Sequence, residues 1–188
     1  MKAHSFIYLI IYSCFIMSVS LQAQEHFADR YNVSYITMDD GLPHNFIDDI
    51  YKDTRGFLWI STAGGGLSRY DGYEFIHFNP NTPHSKLKSN FIHNVYEDRF
   101  HRLWIVSEGG TDIIDLSTLQ SVIPNDPKGL LPRFINHPTY IVILDSQGCI
   151  WLQCDNALHR ITFDAEGGID TLSTLDLPEQ DEPDLILK

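Results

Sequence analysis

The stretch Asp53-Thr-Arg-Gly-Phe-Leu-Trp-Ile-Ser61 is the most informative part of the chain, because its pattern returns twice further along. It reappears as Asp98-Arg-Phe-His-Arg-Leu-Trp-Ile-Val106 and as Asp145-Ser-Gln-Gly-Cys-Ile-Trp-Leu-Gln153, each time with the tryptophan six positions after the aspartate. Successive tryptophans are separated by 45 and 47 residues, and all three tryptophans of the chain belong to the pattern. A fixed period of this size is typical of repeat architectures.

Each repeat contains short segments rich in aromatic and β-branched residues, which are typical of strands. In the first unit these segments are residues 42–52, 57–62, 67–70 and 73–78. The Asp-Gly pair at 71–72 indicates a hairpin, since both turn positions favour positive φ. Four antiparallel strands in about 45 residues make one blade of a β-propeller. The sequence therefore predicts an all-β fold of β-propeller blades with four antiparallel strands each, with about three blades present and the ring incomplete.

The predicted boundaries follow the repeat, and the third unit is degenerate because Asp155-Asn-Ala157 replaces its glycine loop. A strand predicted at 31–37 is of the kind that completes the last blade of a propeller, and we expect it to lack that partner in this chain. The predicted segments are 1–23 (signal peptide), 24–41 (lead-in with closing strand), 42–86 (blade 1), 87–129 (blade 2), 130–175 (degenerate blade 3) and 176–188 (start of the next blade, or a tail).

The first 23 residues have the features of a secretory signal peptide. Lys2 precedes a mostly apolar run from Phe6 to Leu21, and Ala23 is a small residue suited to the cleavage site. The run is shorter than the roughly 20 residues that a membrane-spanning helix needs. The alternatives are a retained N-terminal anchor and a lipoprotein signal at Cys14.

Length, charge and cysteine content narrow the classes of function. A closed propeller needs roughly four to eight blades, so three blades predict a fragment of a longer protein. The formal net charge of −12, with the charges scattered, argues against nucleic acid and anionic membranes as partners. Cys149 and Cys154 fall on opposite faces of one predicted strand, so we expect two buried thiols and no disulfide between them.

The first unit resembles the two-component regulator propeller repeat. The resemblance rests on Gly41-Leu-Pro-His-Asn45, on the Asp-x-x-Gly-x-x-Trp-Ile-x-Thr pattern of 53–62, and on Gly65-Gly-Leu-Ser-Arg-Tyr-Asp-Gly72. It extends over residues 31–165 and weakens from the first unit to the third. Proteins of this family carry such repeats in the periplasmic sensor of hybrid two-component systems, notably in gut Bacteroidetes.

The resemblance implies a larger parent with more blades, a β-sandwich domain, a membrane helix and a histidine kinase core. The chain is then expected to be the N-terminal part of a periplasmic sensor, without catalytic activity of its own and without a cofactor. An oligosaccharide is the expected ligand. The expected partners are the missing propeller blades, the downstream membrane and kinase domains and, in the intact sensor, a second copy.

The repeated polar and aromatic residues suggest chemistry that their positions do not favour. The tryptophans could stack on sugars, but a residue that recurs in every blade is first a packing residue. Asp53, Asp98 and Asp145 could be catalytic acids or metal ligands, yet their shared turn position favours hydrogen bonds to the turn backbone. Asp48 and Asp49 are adjacent on a strand and point to opposite faces, so they do not form an acid–base pair.

Two further motifs do not predict a site. The glycine loop at 64–66 lacks the lysine and hydroxyl residue of a phosphate-binding loop and enters a strand rather than a helix. The nine histidines show no metal-ligand spacing. We therefore predict neither catalytic residues nor a metal site.

Asn45 and Asn90 are the candidate ligand-binding residues, because they occupy the same position just before the first strand of two units. If that strand lines the central channel, both side chains lie near its mouth. The alternative is an asparagine that stabilises a turn. The loops 80–86 and 124–138 have no counterpart in the other units and are further candidates, since function is often carried by irregular segments.

Three functions remain open on the sequence alone. The first is the non-catalytic ligand-sensing propeller segment. The second is part of a glycan-active propeller enzyme, a glycosidase or lyase. The third is a structural or protein-interaction propeller, or a remnant of one.

Overall fold

The computed structural model describes residues 34–83 and 86–177. The predicted signal peptide and residues 178–188 lie outside these ranges. The chain divides into two compact units, Met1–Ile36 and Thr37–Lys188, and all described strands belong to the second. In the described ranges, no helix has the length and apolar character needed to cross a bilayer.

Three antiparallel sheets follow one another along the chain, with strand orders β1-β2-β3-β4, β5-β6-β7 and β11-β10-β9-β8. Two short 3-10 turns, Met38–Asp40 and Leu131–Arg133, precede the first and the third sheet. The predicted all-β fold of antiparallel propeller blades in an open arrangement is confirmed. The strands are β1 Ile47–Lys52, β2 Leu58–Thr62, β3 Gly66–Tyr70, β4 Phe75–Phe78, β5 Ile92–Glu97, β6 Arg102–Ser107, β7 Gly110–Asp115, β8 Thr139–Leu144, β9 Ile150–Cys154, β10 Ala157–Phe163 and β11 Ile169–Asp176.

The middle blade differs from the predicted four strands. Its fourth strand is reduced to a bridge between Ile114 and Ser121, with backbone bonds from Val122 N to Ile113 O at 2.9 Å and from Asp115 N to Gln120 O at 3.0 Å. Leu119 adopts a φ of 58° in the turn before the bridge. Pro124, which has no N–H to donate, follows soon after. Pairing therefore ends after a few residues, and the chain leaves the blade edge.

The lead-in forms a local turn at the positions that the structure describes. Residues 34–37 form no strand, and residues 31–33 lie outside the described ranges. Thr37 instead caps the first 3-10 turn: its N–H donates to Asp40 Oδ2 at 2.8 Å, and its hydroxyl accepts from Asp39 N at 3.3 Å. The backbone donor that a strand would use at Thr37 is thus engaged in a local turn.

Apolar side chains fill the spaces between neighbouring blades. Trp59 and Leu67 of the first blade pack with Leu103 and Ile105 of the second. Trp104 of the second blade packs in the same way against strands β9 and β10 of the third. Trp59 and Trp104 are completely buried, so the expectation that the repeated tryptophans are packing residues is confirmed for these two.

The first strands of the three blades, β1, β5 and β8, contact one another from blade to blade and are called the inner strands. Asn94 of β5 forms two bonds to Val142 of β8: its Nδ2 donates to the carbonyl and its Oδ1 accepts from the N–H, both at 3.0 Å. Asp49, one repeat earlier, accepts from Val95 N at 3.3 Å. A polar side chain at one repeat position therefore ties β1 to β5 and β5 to β8.

The glycine loop of the middle blade leaves no room for a side chain. Gly110 has a φ of 116°, and a Cβ there would overlap the carbonyl oxygen of Ile135. We expect Gly110→Ala to lower the free energy of unfolding by at least ~2 kcal/mol, because steric overlap adds to the strain of positive φ. Urea denaturation measures this loss.

Gly72→Ala is the matched control, since Gly72 has a φ of 103° but no atom lies within 4 Å of the point that an added Cβ would occupy. It should cost only the backbone strain, about 1 kcal/mol. Equal losses in the two variants would contradict the packing argument for Gly110.

Glu97 links the first two blades through a buried carboxylate that is 3% exposed. Its oxygens accept from Thr54 N and from the Thr54 hydroxyl, both at 2.7 Å, and its Oε1 lies 2.8 Å from His101 Nδ1. Burial by itself raises the pKa of Glu97, but the hydrogen bonds from Thr54 and His101 outweigh it. The pKa of Glu97 therefore lies below its ordinary value of 4.5.

A lowered folded-state pKa means that folding favours the ionised Glu97. Its contribution to stability is complete above the ordinary pKa of 4.5 and is lost as the pH falls through the folded-state value. We expect Glu97→Gln to reduce the fall in stability below pH 4.5, measured by urea denaturation at a series of pH values. An unchanged profile in Glu97→Gln would contradict the assignment.

Candidate functional site

The repeated aspartates bind the turn backbone and the tryptophan six residues later. Asp53 Oδ1 accepts from the N–H groups of Arg55 and Phe57 at 3.0 and 2.9 Å, and Asp53 Oδ2 accepts from Trp59 Nε1 at 2.8 Å. Asp98 and Asp145 accept the equivalent three bonds in their own blades. The prediction of turn capping is confirmed, and the bond to the indole explains why the spacing from aspartate to tryptophan is constant.

These carboxylates are poorly suited to general acid chemistry. The indole N–H of Trp151, the largest cause, and the N–H of Cys149 lower the pKa of Asp145 to about 2. A general acid that works near neutral pH needs a raised pKa instead. Asp145 is therefore held as a carboxylate by its turn.

The adjacent acids Asp48 and Asp49 have different surroundings. Asp49 ties β1 to β5 through its bond to Val95 N, whereas Asp48 is exposed. Within the described ranges, no three His, Cys, Asp or Glu side chains are grouped so that they could hold a metal ion. Cys149 and Cys154, the two cysteines of the described ranges, are both free and buried.

Asn45 and Asn90 precede their inner strands as predicted, but their surroundings differ. Asn45 is exposed, while Asn90 is half-buried. The backbone carbonyl of Asn90 accepts from Gly64 N at 3.1 Å and from Gly66 N at 2.9 Å, so it anchors the glycine loop of the preceding blade. The side-chain Oδ1 of Asn90 is a buried atom for which the described residues provide no hydrogen-bond partner. The backbone of Asn90 is therefore structural, and its side chain holds a buried amide oxygen that is not satisfied by the described residues.

Each inner strand carries a β-bulge at the same repeat position. The register shifts between Ile47 and Asp49, between Ile92 and Asn94, and between Thr139 and Ile141. The extra residues are Asp48, His93 and Tyr140. β-bulges re-aim side chains and are common next to functional sites. This row, called the bulge row, is the candidate functional site of the described chain.

The bulge row is partly exposed to solvent, and the rings of His93 and Tyr140 are in tilted contact. Tyr140 is 46% exposed, and its ring lies 5.3 Å from the imidazole of His93, centroid to centroid. His93 Nε2 is buried and has no hydrogen-bond partner among the described residues. Phe46 and Phe91, which stand just before the inner strands, are 65% and 47% exposed. Aromatic faces and unused polar groups therefore meet at the start of the inner strands.

Sequence reasoning missed the bulge row because its three residues share no chemistry. The available signal was positional: Asp48, His93 and Tyr140 occupy one place in the repeat, adjacent to the residues that face a neighbouring blade. A bulge is a property of backbone pairing, and no residue type marks it in this sequence.

The irregular loops 80–86 and 124–138 are the further candidates for ligand binding, and the structure gives a packing role to the second. In segment 124–138, Phe134 is completely buried and Leu131 is 3% exposed, and both belong to the core between the second and third blades. The carbonyl of Ile135 accepts from Thr111 N at 3.1 Å. This segment is therefore first a packing element of the blade junction. Loop 80–86 is described only outside residues 84 and 85.

A depression lies on the aspartate turns, away from the bulge row along the strands. It has a volume of about 290 Å³ and is lined by Arg55, His101, Leu116 and Ser117. Arg55 Nη1 donates to Leu116 O at 2.5 Å, so the arginine is engaged in joining two blades. This depression is a feature of the blade junction.

Comparisons with solved structures show the propeller fold. The extracellular domain of the hybrid two component system BT3049 from B. thetaiotaomicron is 21% identical with a TM-score of 0.60, and the alignment covers 76% of this chain and 20% of that one. The extracellular domain of the one component system BT4673 from the same organism is 25% identical with a TM-score of 0.54, over 70% of this chain and 19% of that one. The chain thus spans about a fifth of the length of these relatives.

The comparisons based on sequence match a smaller part of the chain. No curated protein matches the chain at a significant level. The family model described as "Two component regulator propeller" matches residues 41–64 and 86–109, in the first and second blades. These matched segments contain the Asp turns and the tryptophans of the two clearest units. Residues 41–64 and 86–109 are therefore repeats of the two-component regulator propeller family, and the resemblance seen in the sequence is confirmed.

Proposed function

We propose that the chain is a non-catalytic, ligand-sensing propeller segment of a two-component sensor, located in the periplasm and responding to an oligosaccharide. The observation that carries this proposal is the family match over two consecutive blades. The likeness to the extracellular domain of a one component system at 25% identity supports the same location and role.

The geometry of the acids supports a binding role over a catalytic one. The repeated aspartates are engaged by turn N–H groups and by the indole N–H, as in Asp53 and Asp145. A glycosidase needs two carboxyl groups that flank the scissile bond, one of them with a raised pKa. Enzymatic hydrolysis of glycans is the competing function, and analysis of the glycan after binding distinguishes the two.

A sensing mechanism follows from the links between inner strands. Asp49 and Asn94 join neighbouring inner strands beside the bulge row. A ligand that contacts two bulges would bind one relative position of the blades more tightly than another. Such differential binding shifts a conformational equilibrium and can pass to downstream membrane and kinase domains of a longer parent.

Calorimetry of the chain with a panel of oligosaccharides tests the proposal. The panel comprises cellohexaose, mannohexaose, xylohexaose and a heparin-derived hexasaccharide, and each mixture is afterwards analysed for cleavage products by chromatography. Binding of at least one oligosaccharide without cleavage supports the sensing function. Cleavage would support the enzyme instead, and failure to bind any member of the panel would contradict the proposed ligand class.

A further inference from the structure

We propose that the bulge row, Asp48, His93 and Tyr140, is a subsite for one pyranose ring of a neutral oligosaccharide. The inference rests on the proposed sensing function and names the place and the chemical class of its ligand. The bulges, the exposed aromatic rings and the charges of the inner strands support it.

The three bulges lie side by side on neighbouring strands. Asp49 Oδ2 lies 3.3 Å from Val95 N, and Asn94 is bonded twice to Val142 at 3.0 Å. Because Asp49 and Asn94 each directly follow a bulged residue, the bulges of β1, β5 and β8 come at nearly the same level. The contact between the His93 and Tyr140 rings shows this directly for two of them.

The row offers both kinds of contact that a sugar ring uses. The exposed Tyr140 ring, with His93 against it, provides an apolar face for the C–H side of a pyranose. The Asp48 carboxylate is exposed and can accept from two hydroxyl groups. Asn90, two residues before the strand of His93, has an amide Oδ1 that is buried and lacks a partner among the described residues.

The charge of the inner strands selects a neutral sugar. The first five residues of β1 and all residues of β5 and β8 contain neither lysine nor arginine. A sulfate or uronate group would meet the Asp48 carboxylate, and these strand residues offer no lysine or arginine to pair with it. Sugar hydroxyl groups, which donate to carboxylate and amide oxygens, fit this set of acceptors.

The test uses Tyr140→Ala and Asp48→Ala in the chain, titrated calorimetrically with the same four hexasaccharides. We expect each variant to weaken binding of the neutral hexaose that the unchanged chain binds most tightly. The loss of affinity should be about tenfold or more, as for a central aromatic or polar anchor. Tyr140→Phe, which keeps the ring, should weaken binding much less. Thermal unfolding checks that the variants remain folded, which the exposure of both side chains favours.

Tyr73→Ala is the matched control, because Tyr73 is 92% exposed on a turn at the opposite end of the strands. It should bind as the unchanged chain does. Unchanged binding in folded Tyr140→Ala and Asp48→Ala would overturn the subsite while leaving the sensing function intact. Preference for the heparin-derived hexasaccharide would overturn the neutral class, and no binding by the unchanged chain would contradict both proposals.

Discussion

Asp98→Ala is expected to lower the free energy of unfolding by about 3–5 kcal/mol, the range for breaking one side of a buried ion pair. The Asp98 side chain is fully buried, and its Oδ2 accepts from Arg102 Nε at 2.7 Å and from Trp104 Nε1 at 2.8 Å. Its Oδ1 accepts from the N–H groups of Phe100 and Arg102. Removing the carboxylate leaves a buried guanidinium and a buried indole N–H without this acceptor.

Arg102 would be left in a costly position. Its guanidinium lies between the rings of Phe100 and Phe163, with distances of 4.9 and 5.0 Å to the ring centroids. Its Nη1 donates to Gly167 O at 2.7 Å, which joins the second blade to the third. The charge cannot reach solvent from there without opening the blade junction, so the loss should appear as global destabilisation in urea denaturation.

Asp145→Ala is the matched control for Asp98→Ala. Asp145 makes the same three turn and indole bonds, but its side chain is 25% exposed and the nearest arginine nitrogen, Arg160 Nε, is 3.5 Å away. Its loss of stability should be clearly smaller. Equal losses at the two positions would show that the buried Arg102 does not contribute the difference.

The strand pattern was predictable because the turns have strict local requirements. The aspartate must cap a four-residue turn and reach the indole six residues later, so both residues recur at fixed spacing. The fourth position of that turn adopts positive φ in all three units, and it is Gly56, His101 and Gly148 in turn. His101 replaces the glycine of the other two units but keeps the same positive φ.

What could not be predicted depends on contacts between blades. In the sequence Asp49 is only one of two adjacent acids, whereas in the structure its partner is the backbone of Val95 in the next blade. The fourth strand of the middle blade is shortened by the conformation of Leu119 and by Pro124, both outside the repeated motif. Such features depend on which element is adjacent in space, and a single unit does not encode that.

The candidate site was predictable only in part for the same reason. The period placed Asn45 and Asn90 at the start of the inner strands, where the bulge row lies. It could not show that the Asn90 carbonyl is engaged by the glycine loop. Nor could it show that backbone pairing inserts Asp48, His93 and Tyr140 as extra residues.

Burial of the repeated tryptophans also depends on the neighbouring blade, and this leads to the second large effect. Trp104→Ala is expected to lower the free energy of unfolding by about 3–5 kcal/mol, as for other large-to-small changes at fully buried aromatic residues. Trp104 is completely buried, and its ring centroid lies 5.9 Å from that of Phe163 in the third blade. The substitution leaves a cavity in the core between the two blades and removes a donor from the buried Asp98.

Trp151→Ala distinguishes the stabilisation that comes from burial of the tryptophan from the stabilisation that comes from its bond to the aspartate turn. Trp151 occupies the same repeat position and donates the same bond to its aspartate, Asp145, at 2.9 Å, yet it is only half-buried. If packing against the next blade accounts for most of the stabilisation, Trp151→Ala should cost clearly less than Trp104→Ala in urea denaturation. If the two variants lose the same stability, the tryptophan acts mainly through its bond to the aspartate turn, and the core between blades is less important than its burial indicates.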